Sequence, residues 1–542
     1  MRCFGCVARL CWGGALGLSV FPCVALSLVS PWVWRSFWGC SLVLLYGVVA
    51  DSIVVSFTPL RIVSGLLVFG DRVVYCGDHG FVEGFIDRFG GELVDYSGYT
   101  VLPGFLDPHL HLGSLAAWDR IVDLSGVDSI EELLSIVKKV LLREKRASWI
   151  VGRGWDHMRF KEKRLPTIRD LEQLDTDKPV FLIRVCGHIA VANKAALEKL
   201  GRELENIDWD NGLLYEDSVA FLWKKALEEI GLEPKSYVDA LEKLYRYGIV
   251  GIGWMSASLD EVIVYHGIEA IKPHTKIYLE PNSFVEWIRY GLPRNTMNIH
   301  GLKIILDGSL GAHTAYLSKP YNDKPGTYGK LNMDVEELEK YLLMVKEKEF
   351  HIAIHAIGDK ALDIVLQLYS RHGLIGERIE HASLVRNDQI KLLVDLRPRI
   401  ALQPGFILSD TWLVERIGWN RLAWAYRIAS LSKIAKVGFS SDAPVEPLDP
   451  WRNIYAAITR GEYEGLDIAA TMEEKIDLLT ALHLHTKGSA ETLYYNDKGK
   501  LEPGYSADYI VVDRNPLEIS DPRELLKIRI VETRVAGRKV YS

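Results

Sequence analysis

The chain has few cysteines, and most of them lie near one end. It holds 7 cysteines in 542 residues, and beyond residue 40 only Cys76 and Cys186 remain. A disulfide framework is therefore excluded for the main body, whose cysteine usage is that of a cytoplasmic protein. Cys3 and Cys6 form a C-x-x-C pair, but no second pair or histidine follows nearby, which disfavours a zinc knuckle.

Long runs of one charge sign are also lacking. The 64 basic and 71 acidic residues are mixed along the chain and leave a formal net charge of -7. This mixing disfavours a nucleic-acid-binding surface, which needs clustered positive charge, and we expect a small-molecule partner instead. Glutamine is scarce as well, a bias typical of proteins selected for heat, and its only positions are Gln173, Gln367, Gln389 and Gln403.

Residues 1–50 differ from the rest because they are almost without charge. Only Arg2, Arg9 and Arg35 are charged, and an apolar run among these residues is long enough to cross a bilayer. Three interpretations are open: a start codon placed too early, a membrane anchor and a signal peptide. We favour the first, because the following residues resemble the first strands of a cytoplasmic enzyme. Membrane attachment or export is expected only if residues 1–50 are translated.

The two ends of the remaining chain share a β-rich texture. Residues 51–100 contain short runs such as SIVVSF, GLLVFG and GELVDYSG, separated by glycine and aspartate, which predicts an antiparallel sheet. The same texture returns in GKLEPGYSADYIVVDRNP and IRIVETRVAGRKVYS near the other end. We therefore predict that residues 51–100 and 496–542 form one small β-sandwich.

Residues 101–495 alternate apolar strands with amphipathic helical stretches, the pattern of βα units around a parallel sheet. Eight strands are predicted, within TVLPGFLD, YGIVGIGWM, HTKIYLEP, GLKIILDG, FHIAIHAIG, ERIEHASLV, RIALQPGF and AKVGFSSDAP. Eight strands close a (β/α)8 TIM barrel. The runs SWIVGRGWD and PVFLIRVCGH fall in an α/β insertion predicted at about 115–245, after the first barrel strand. The predicted fold class is α/β.

The stretch GFLDPHLHLG places two histidines two residues apart at the end of the first predicted barrel strand. Alternate residues of a strand point to the same face, so the imidazoles of His109 and His111 can converge on one metal ion. The alternative is an ordinary pair of histidines in an exposed strand or loop. The pair alone does not decide between these interpretations.

Further candidate ligands occur at the same end of later strands, where the active site of a barrel lies. They stand in GLKIILDGS, IAIHAIGD, RIEHASL and GFSSDAPV, and they are Lys303, His355, His381 and Asp442. Taken singly, the lysine fits a surface residue, each histidine a satisfied core residue, and the aspartate a helix cap. Together with the histidine pair of the first strand, they predict a metal centre.

Several motifs resemble those of one family. PGFLDPHLHLG, IHAIGDKA, RIEHA, SSDAPVEP and LEPGYSADYIVVD resemble the amidohydrolase superfamily of metal-dependent hydrolases, over roughly residues 51–542. GRGWD, CGHIAVANKAAL and LDGSLGAHTA resemble its YtcJ-like branch, of the amidohydrolase 3 type, whose members include N-substituted formamide deformylases. The resemblance implies the barrel, the split β-sandwich and roles for the ligands.

The resemblance also implies how the ligands divide. It assigns His109, His111 and Asp442 to a first metal, and His355 and His381 to a second. Lys303 matches the position at which family members bridge two metals through a carbamate, which forms when a neutral amine adds carbon dioxide. A protonated Lys303 would instead leave a single-metal site. One or two divalent ions are therefore expected, with zinc favoured.

These ligands imply hydrolysis, because a divalent metal lowers the pKa of water from about 15.7 to about 7 and polarises a carbonyl oxygen. We predict cleavage of a non-peptide C–N bond, in an amide, N-formyl or cyclic imide substrate. Asp442 would act first as general base and then as general acid. Ester or lactone hydrolysis, and a non-catalytic regulatory or binding protein, are the alternatives. Proteins of this fold often pair, so a homodimer is a further expectation.

Five residues outside the ligand set are candidate substrate contacts. Asp307 and Ser309 follow the lysine-bearing strand in LDGSLGAHTA, where Asp-Gly is equally typical of a structural turn. Trp155, Asp156 and His188 lie in the inserted block, which its topology allows to cover the barrel mouth. Structural packing is the alternative for each of the three. A tryptophan at the mouth would suit a partly apolar or aromatic substrate.

Overall fold

The computed structural model describes residues 45–542, apart from residues 119, 146, 158, 185–186, 188, 201–205, 216 and 294–295. Residues 1–44 of the apolar extension predicted at residues 1–50 therefore lie outside the described residues. Leu45–Ala50 begin the first strand, in which residues 46–50 are buried. None of the helices described here combines the length and the apolar character that crossing a membrane requires.

Both ends of the chain contribute to one sheet of eight strands, which confirms the β structure predicted to unite them. Its N-terminal elements are β1 (Leu45–Phe57), β2 (Leu60–Phe69), β3 (Arg72–Gly77), helix α1 (His79–Phe89), β4 (Glu92–Asp95) and β5 (Thr100–Pro103). The first three strands pair antiparallel, as predicted, but β4 and β5 pair parallel with β1. The chain returns through α1, and a crossover of this kind leaves the next strand parallel.

The first barrel strand, β6 (Phe105–Leu110), follows directly and leads into α2 (Leu112–Trp118). A six-stranded sheet with its own helices then separates β6 from the second barrel strand. Its elements are β7 (Val122–Asp123), α3 (Ile130–Arg143), β8 (Ile150–Trp155), α4 (Ile168–Leu171), β9 (Val180–Arg184), β10 (Ile189–Ala192), α5 (Lys194–Leu197), β11 (Ile207–Asp208), β12 (Leu213–Tyr215) and α6 (Asp217–Gly231). The runs SWIVGRGWD and PVFLIRVCGH correspond to β8 and β9.

Seven more parallel strands complete the barrel. The elements from the second to the fifth strand are α7 (Pro234–Arg246), β13 (Ile249–Ala257), α8 (Leu259–Gly267), β14 (His274–Leu279), α9 (Pro281–Tyr290), β15 (Ile299–Ile305), α10 (Val335–Glu347), β16 (His351–Ala356) and α11 (Asp359–His372). The remaining elements are β17 (Arg378–His381), α12 (Ile390–Leu396), β18 (Arg399–Leu402), α13 (Phe406–Ser409), α14 (Leu413–Ile417), α15 (Ile428–Ser432), β19 (Lys436–Phe439), α16 (Pro450–Thr459), α17 (Leu478–His483) and α18 (Ser489–Thr492).

The last strands return to the sheet in which the chain began. They are β20 (Tyr509–Val512), β21 (Ile530–Val535) and β22 (Arg538–Tyr541), and β20 pairs antiparallel with β5. Among the described residues, seven short segments are 3-10 helices: Glu172–Leu174, Thr296–Asn298, Asn387–Gln389, Trp419–Trp424, Asp467–Glu474, Pro516–Glu518 and Pro522–Lys527. The segment Leu484–Gly488 is a π-helical turn between α17 and α18.

The barrel strands follow the order β6, β13, β14, β15, β16, β17, β18 and β19, and all eight predicted strands are confirmed. The first strand starts at Phe105 because residues 100–103 pair with β20 instead. Backbone hydrogen bonds join the segment after β19 to the end of β6: Asp442 N–H donates to His109 O at 2.8 Å, and His111 N–H to Ala443 O at 2.9 Å. These bonds bring the first and last strands together at the carboxyl end, where barrel active sites lie.

Glycines allow neighbouring barrel strands to approach closely. A Cβ atom at Gly253, in β13, would lie 2.0 Å from the carbonyl oxygen of Pro108, in β6. A Cβ atom at Gly301, in β15, would lie 2.0 Å from the carbonyl oxygen of His351. Both obstacles are backbone atoms, which cannot rotate away as a side chain can. The spacing of the strands that carry the candidate ligands therefore depends on these glycines.

Candidate metal centre

The structure brings all six predicted ligands to one cavity of about 520 Å³ at the carboxyl end of the barrel. Each ligand is placed by a different strand end, apart from the two histidines that share β6 and the residue after it. The six are His109, His111, Lys303, His355, His381 and Asp442. Parallel strands end at the same rim, so residues far apart in sequence meet there.

Asp442 lies between the two histidines of the first strand. Its Oδ1 atom is 3.2 Å from Nε2 of His109 and 3.2 Å from Nε2 of His111. The ligand atoms of His109, His111 and Asp442 all lie within 4.8 Å of one another. Oδ1 is buried and accepts no hydrogen bond from any described residue, which is costly for a carboxylate oxygen. A divalent cation among these three atoms would satisfy it, so the donor set fits a metal ion.

Two candidate ligands have a strained backbone. His381 and Asp442 have φ angles of 71° and 60°, in the left-handed region that residues with a Cβ atom rarely adopt. Strain of this kind clusters at functional sites, where the surrounding structure holds it in place. For Asp442, the hydrogen bond from its backbone N–H to His109 O supplies part of that support.

Hydrogen bonds on the far side of His109 orient its ring. Nδ1 of His109 lies 2.5 Å from Oε2 of Glu380, whose carboxylate accepts two hydrogen bonds from Arg378 at 2.8 and 2.9 Å. Burial alone would raise the pKa of Glu380, but the Arg378 guanidinium holds this pKa well below its usual range. Because the carboxylate is only an acceptor, Nδ1 carries the proton and Nε2 keeps its lone pair for a metal.

The other three imidazoles are held in the same way by oxygen acceptors. The pairs are His111 Nδ1 with Met255 O at 3.2 Å, His355 Nε2 with Gly308 O at 3.0 Å, and His381 Nδ1 with Gln403 Oε1 at 2.8 Å. The amide of Gln403 is itself fixed, because its Nε2 donates to Ala401 O and Ser440 Oγ. Each ring therefore has one nitrogen occupied by an oxygen and one nitrogen left with a lone pair.

Burial disfavours the charged forms of the remaining nitrogen ligands. It lowers the pKa of His355 to about 3 and that of His381 well below its usual range. Burial also lowers the pKa of the Lys303 ammonium to about 8. Lys303 Nζ is 3.5 Å from Nε2 of His109, so the amine stands beside the ligand set. Neutral nitrogens are the forms that bind metals or add carbon dioxide.

The predicted substrate contacts lie in different parts of the structure. Ser309 lines the cavity. Asp307 is a buried loop anchor, since its carboxylate accepts backbone N–H bonds at 2.8–3.0 Å, and it lies 3.4 Å from Nε2 of His355. Trp155 is buried in the core of the inserted sheet, and Asp156 pairs with Arg184 at 2.7 Å.

Trp155 and Asp156 have the structural contacts that were the alternative to substrate binding. Neither Trp155 nor Asp156 lines the cavity in the part of the chain that the structure describes. The side chain of Trp155, at the end of β8, packs against Phe160 within that core. His188 lies outside the described residues.

Sequence reasoning missed part of the cavity wall. Phe406, Asp410, Trp412, Tyr426 and Glu446 line the cavity with the candidate ligands. They lie in the segments that follow β18 and β19, where barrel topology places active-site loops. This position in the chain was the sequence feature that could have indicated them. Only Glu446 stands in one of the quoted family motifs, SSDAPVEP, and the other four residue types are common in ordinary loops.

The barrel and the ligand cavity together define a metal-dependent hydrolase. The chain belongs to the amidohydrolase family, whose family model matches residues 92–541. The family predicted from the motifs is confirmed, and metal dependence and hydrolysis follow at this general level.

Three relatives illustrate this membership. The chain is 30% identical over 517 residues to the amidohydrolase-family protein YtcJ of Bacillus subtilis (strain 168). The matched region covers 88% of this chain and 97% of YtcJ. It is 24% identical to N-substituted formamide deformylase of Arthrobacter pascens, over 88% of this chain and 94% of that protein. An uncharacterized metal-dependent hydrolase from Pyrococcus horikoshii OT3 has a similar structure, with a TM-score of 0.80, 39% identity, and coverage of 88% of this chain and 98% of that one.

Proposed function

We propose that this protein hydrolyses a non-peptide C–N bond in an amide, an N-formyl amine or a cyclic imide. The observation that carries the proposal is the buried, unbonded Oδ1 atom of Asp442, 3.2 Å from the Nε2 atoms of His109 and His111. The similarity to an N-substituted formamide deformylase supports a C–N bond as the target. The many oriented ligands favour turnover over a regulatory role without chemistry.

The proposed centre holds two divalent ions, and zinc is the favoured metal because imidazole nitrogens and carboxylate oxygens are its usual ligands. His109, His111 and Asp442 would hold the first ion, and His355 and His381 the second. Lys303 would join the two groups after its amine adds carbon dioxide, because a carbamate supplies two oxygen ligands. Burial lowers the pKa of Lys303 to about 8, which raises the fraction of its amine that is neutral and able to add carbon dioxide.

When bound, a divalent metal lowers the pKa of water and polarises a carbonyl oxygen. Asp442 accepts the proton of the attacking water on Oδ2, since Oδ1 already lies between the two imidazoles. It then gives this proton to the departing amine nitrogen, so one carboxylate serves as base and then as acid. Glu380 and Gln403 keep the histidine rings in place during these steps.

The cavity wall supports a substrate with an apolar part. Ile305 and Val445 both line the cavity, and these residues are 46% and 63% exposed. Phe406 and Trp412 add aromatic surface to the same wall. Apolar and aromatic linings with a few convergent polar groups are typical of small-molecule sites.

The test measures turnover and metal content together on the purified, metal-loaded enzyme. Asp442→Asn preserves side-chain size, and we expect it to lower kcat by about 10²–10⁴-fold, the usual worth of general acid–base catalysis, with the metal retained. Asp395→Asn, at an exposed position on α12, is the matched control and should keep full activity. Activity of Asp442→Asn equal to that of the natural enzyme would contradict this role.

The substrate class is tested with matched panels. Amides, N-formyl amines and cyclic imides are compared with the corresponding esters and lactones and with dipeptides. We expect the highest kcat/KM within the first group. A preference for esters or lactones, or for dipeptides, would replace the proposed bond, and no turnover of any panel member would remove the proposed activity.

A further inference from the structure

Asp410 is a cavity carboxylate that the proposed chemistry does not use. It follows α13 and lines the same cavity as the candidate ligands. The hydroxyl of Tyr426 donates a hydrogen bond to its Oδ2 atom, which fixes the direction of the carboxylate. Burial raises the pKa of Asp410 to about 6, and the nearby charge of Glu446 also raises it. Among the described residues, no lysine or arginine forms an ion pair with Asp410.

Glu446 is a second carboxylate on this part of the wall. It stands in SSDAPVEP, after β19, and its side chain is nearly buried, with only 8% of the residue exposed. Arg452 approaches it from outside the cavity lining, with 3.5 Å between Nη2 and Oε2. This long contact compensates Glu446 only in part, and it leaves Asp410 without a counter-charge.

The apolar surroundings of Asp410 strengthen its attraction for a cation. Phe406 and Trp412 line the cavity beside Asp410, and Leu310 is a buried part of the same wall. Apolar walls reduce the screening of a charge by water, so an ion pair formed against them is stronger than one on the surface. Aromatic rings also attract cations through their faces. An anionic substrate group would be repelled from the same place.

We infer that the cavity selects substrates that carry a cationic nitrogen, an ammonium or an amidinium, in addition to the bond that is cleaved. Asp410 pairs with that cation, Tyr426 orients Asp410, and Glu446 adds attraction. The apolar part of the substrate lies against Phe406 and Trp412. This inference rests on the proposed function for the cleaved bond, but it concerns binding and can be tested apart from it.

The first test uses two N-benzylformamides on the metal-loaded enzyme, one with a para aminomethyl group and one with a para ethyl group of the same size. We expect the cationic compound to have a kcat/KM about 10-fold higher or more, since one charged hydrogen-bonded pair changes affinity by about this factor or more. Asp410→Asn should raise KM for the cationic compound by a similar factor. The ethyl compound should be affected much less, so that the ratio of the two kcat/KM values falls toward 1.

Two further variants sharpen this result. Tyr426→Phe keeps the charge of Asp410 but removes the bond that orients it, so the preference should shrink without disappearing. Asp395→Asn removes one exposed carboxylate that does not line the cavity and should leave the preference intact. Equal kinetics of both formamides in the natural enzyme, or an unchanged preference in Asp410→Asn, would overturn the inference.

Calorimetric titration separates this inference from the proposed function. Para-methylbenzylammonium and para-methylbenzyl alcohol cannot be hydrolysed, and they differ mainly in charge. We expect the metal-loaded enzyme to bind the ammonium about 10-fold more tightly, and Asp410→Asn to lose that difference. If no amide, formamide or imide is cleaved, the proposed function fails, yet this titration still decides the role of Asp410. Equal binding of the two probes would overturn it.

Discussion

Nδ1 of His109 lies 2.5 Å from Oε2 of Glu380, and the two side chains are completely buried. The carboxylate is held in turn by Arg378, which also donates to the carbonyl oxygen of Pro108 at 2.9 Å. This chain of contacts joins the sixth barrel strand to the first. It fixes which nitrogen of His109 faces Asp442, so the geometry of the candidate metal centre depends on a residue outside the candidate ligand set.

Replacing Glu380 should therefore weaken metal binding. For Glu380→Gln we expect a loss of about 10–100-fold in metal affinity, the usual effect of removing such a partner, measured by competition with a chelator. Glu377→Gln is the matched control, because Glu377 accepts from His351 at 3.0 Å and lies just before the start of β17. Equal metal affinities for both variants would contradict the orienting role.

Lys303 should decide whether a second metal binds. Lys303→Met fills similar space without an amine, so we expect one of about two metal equivalents to be lost. Lys303→Glu supplies a carboxylate in place of a carbamate and should restore part of the second equivalent. Metal analysis of the natural enzyme after dialysis with and without bicarbonate provides the comparison. A full metal content in Lys303→Met would show that the carbamate is not needed.

The close approach of β6 and β13 should be sensitive to one methyl group. Gly253→Ala places a Cβ atom 2.0 Å from Pro108 O, so we expect a loss of about 1–3 kcal/mol in the free energy of unfolding, the usual cost of overpacking. Because Pro108 directly precedes His109, metal affinity should fall as well. Gly267→Ala, which meets no atom within 4 Å, is the control and should unfold much like the natural protein. Denaturant unfolding measures both variants, and equal stabilities would contradict the role of Gly253.

The barrel was predictable from sequence because its strands are buried on both faces and form continuous apolar runs. The run GLKIILDG, for example, contains most of β15, and FHIAIHAIG contains all of β16. The candidate ligands were also predictable, since parallel strands place residues such as His355 and Asp442 at one rim. Those predictions needed only the pattern of apolar residues along the chain and the position of polar residues at the strand ends.

Other features depend on contacts that no local pattern encodes. Trp155 was a candidate for the barrel mouth, but its direction is decided by the packing of β8 inside the inserted sheet. Glu380 stands beside His381 in RIEHA, yet its side chain turns to a histidine 271 positions away. Asp410 is an ordinary loop residue until Tyr426 and the cavity are placed around it. Side-chain direction and long-range pairing are tertiary properties.

The measurement that tests the central claim most directly is elemental analysis of the full chain, purified with and without added zinc, manganese or iron. The account predicts about two metal equivalents in the natural protein, and a clear loss in His109→Ala. His79→Ala, whose histidine is exposed and contacts Ser64, should keep the full content. About one equivalent would mean a single-metal site with an unmodified Lys303. No bound metal after supplementation would contradict the metal centre and the hydrolysis built on it.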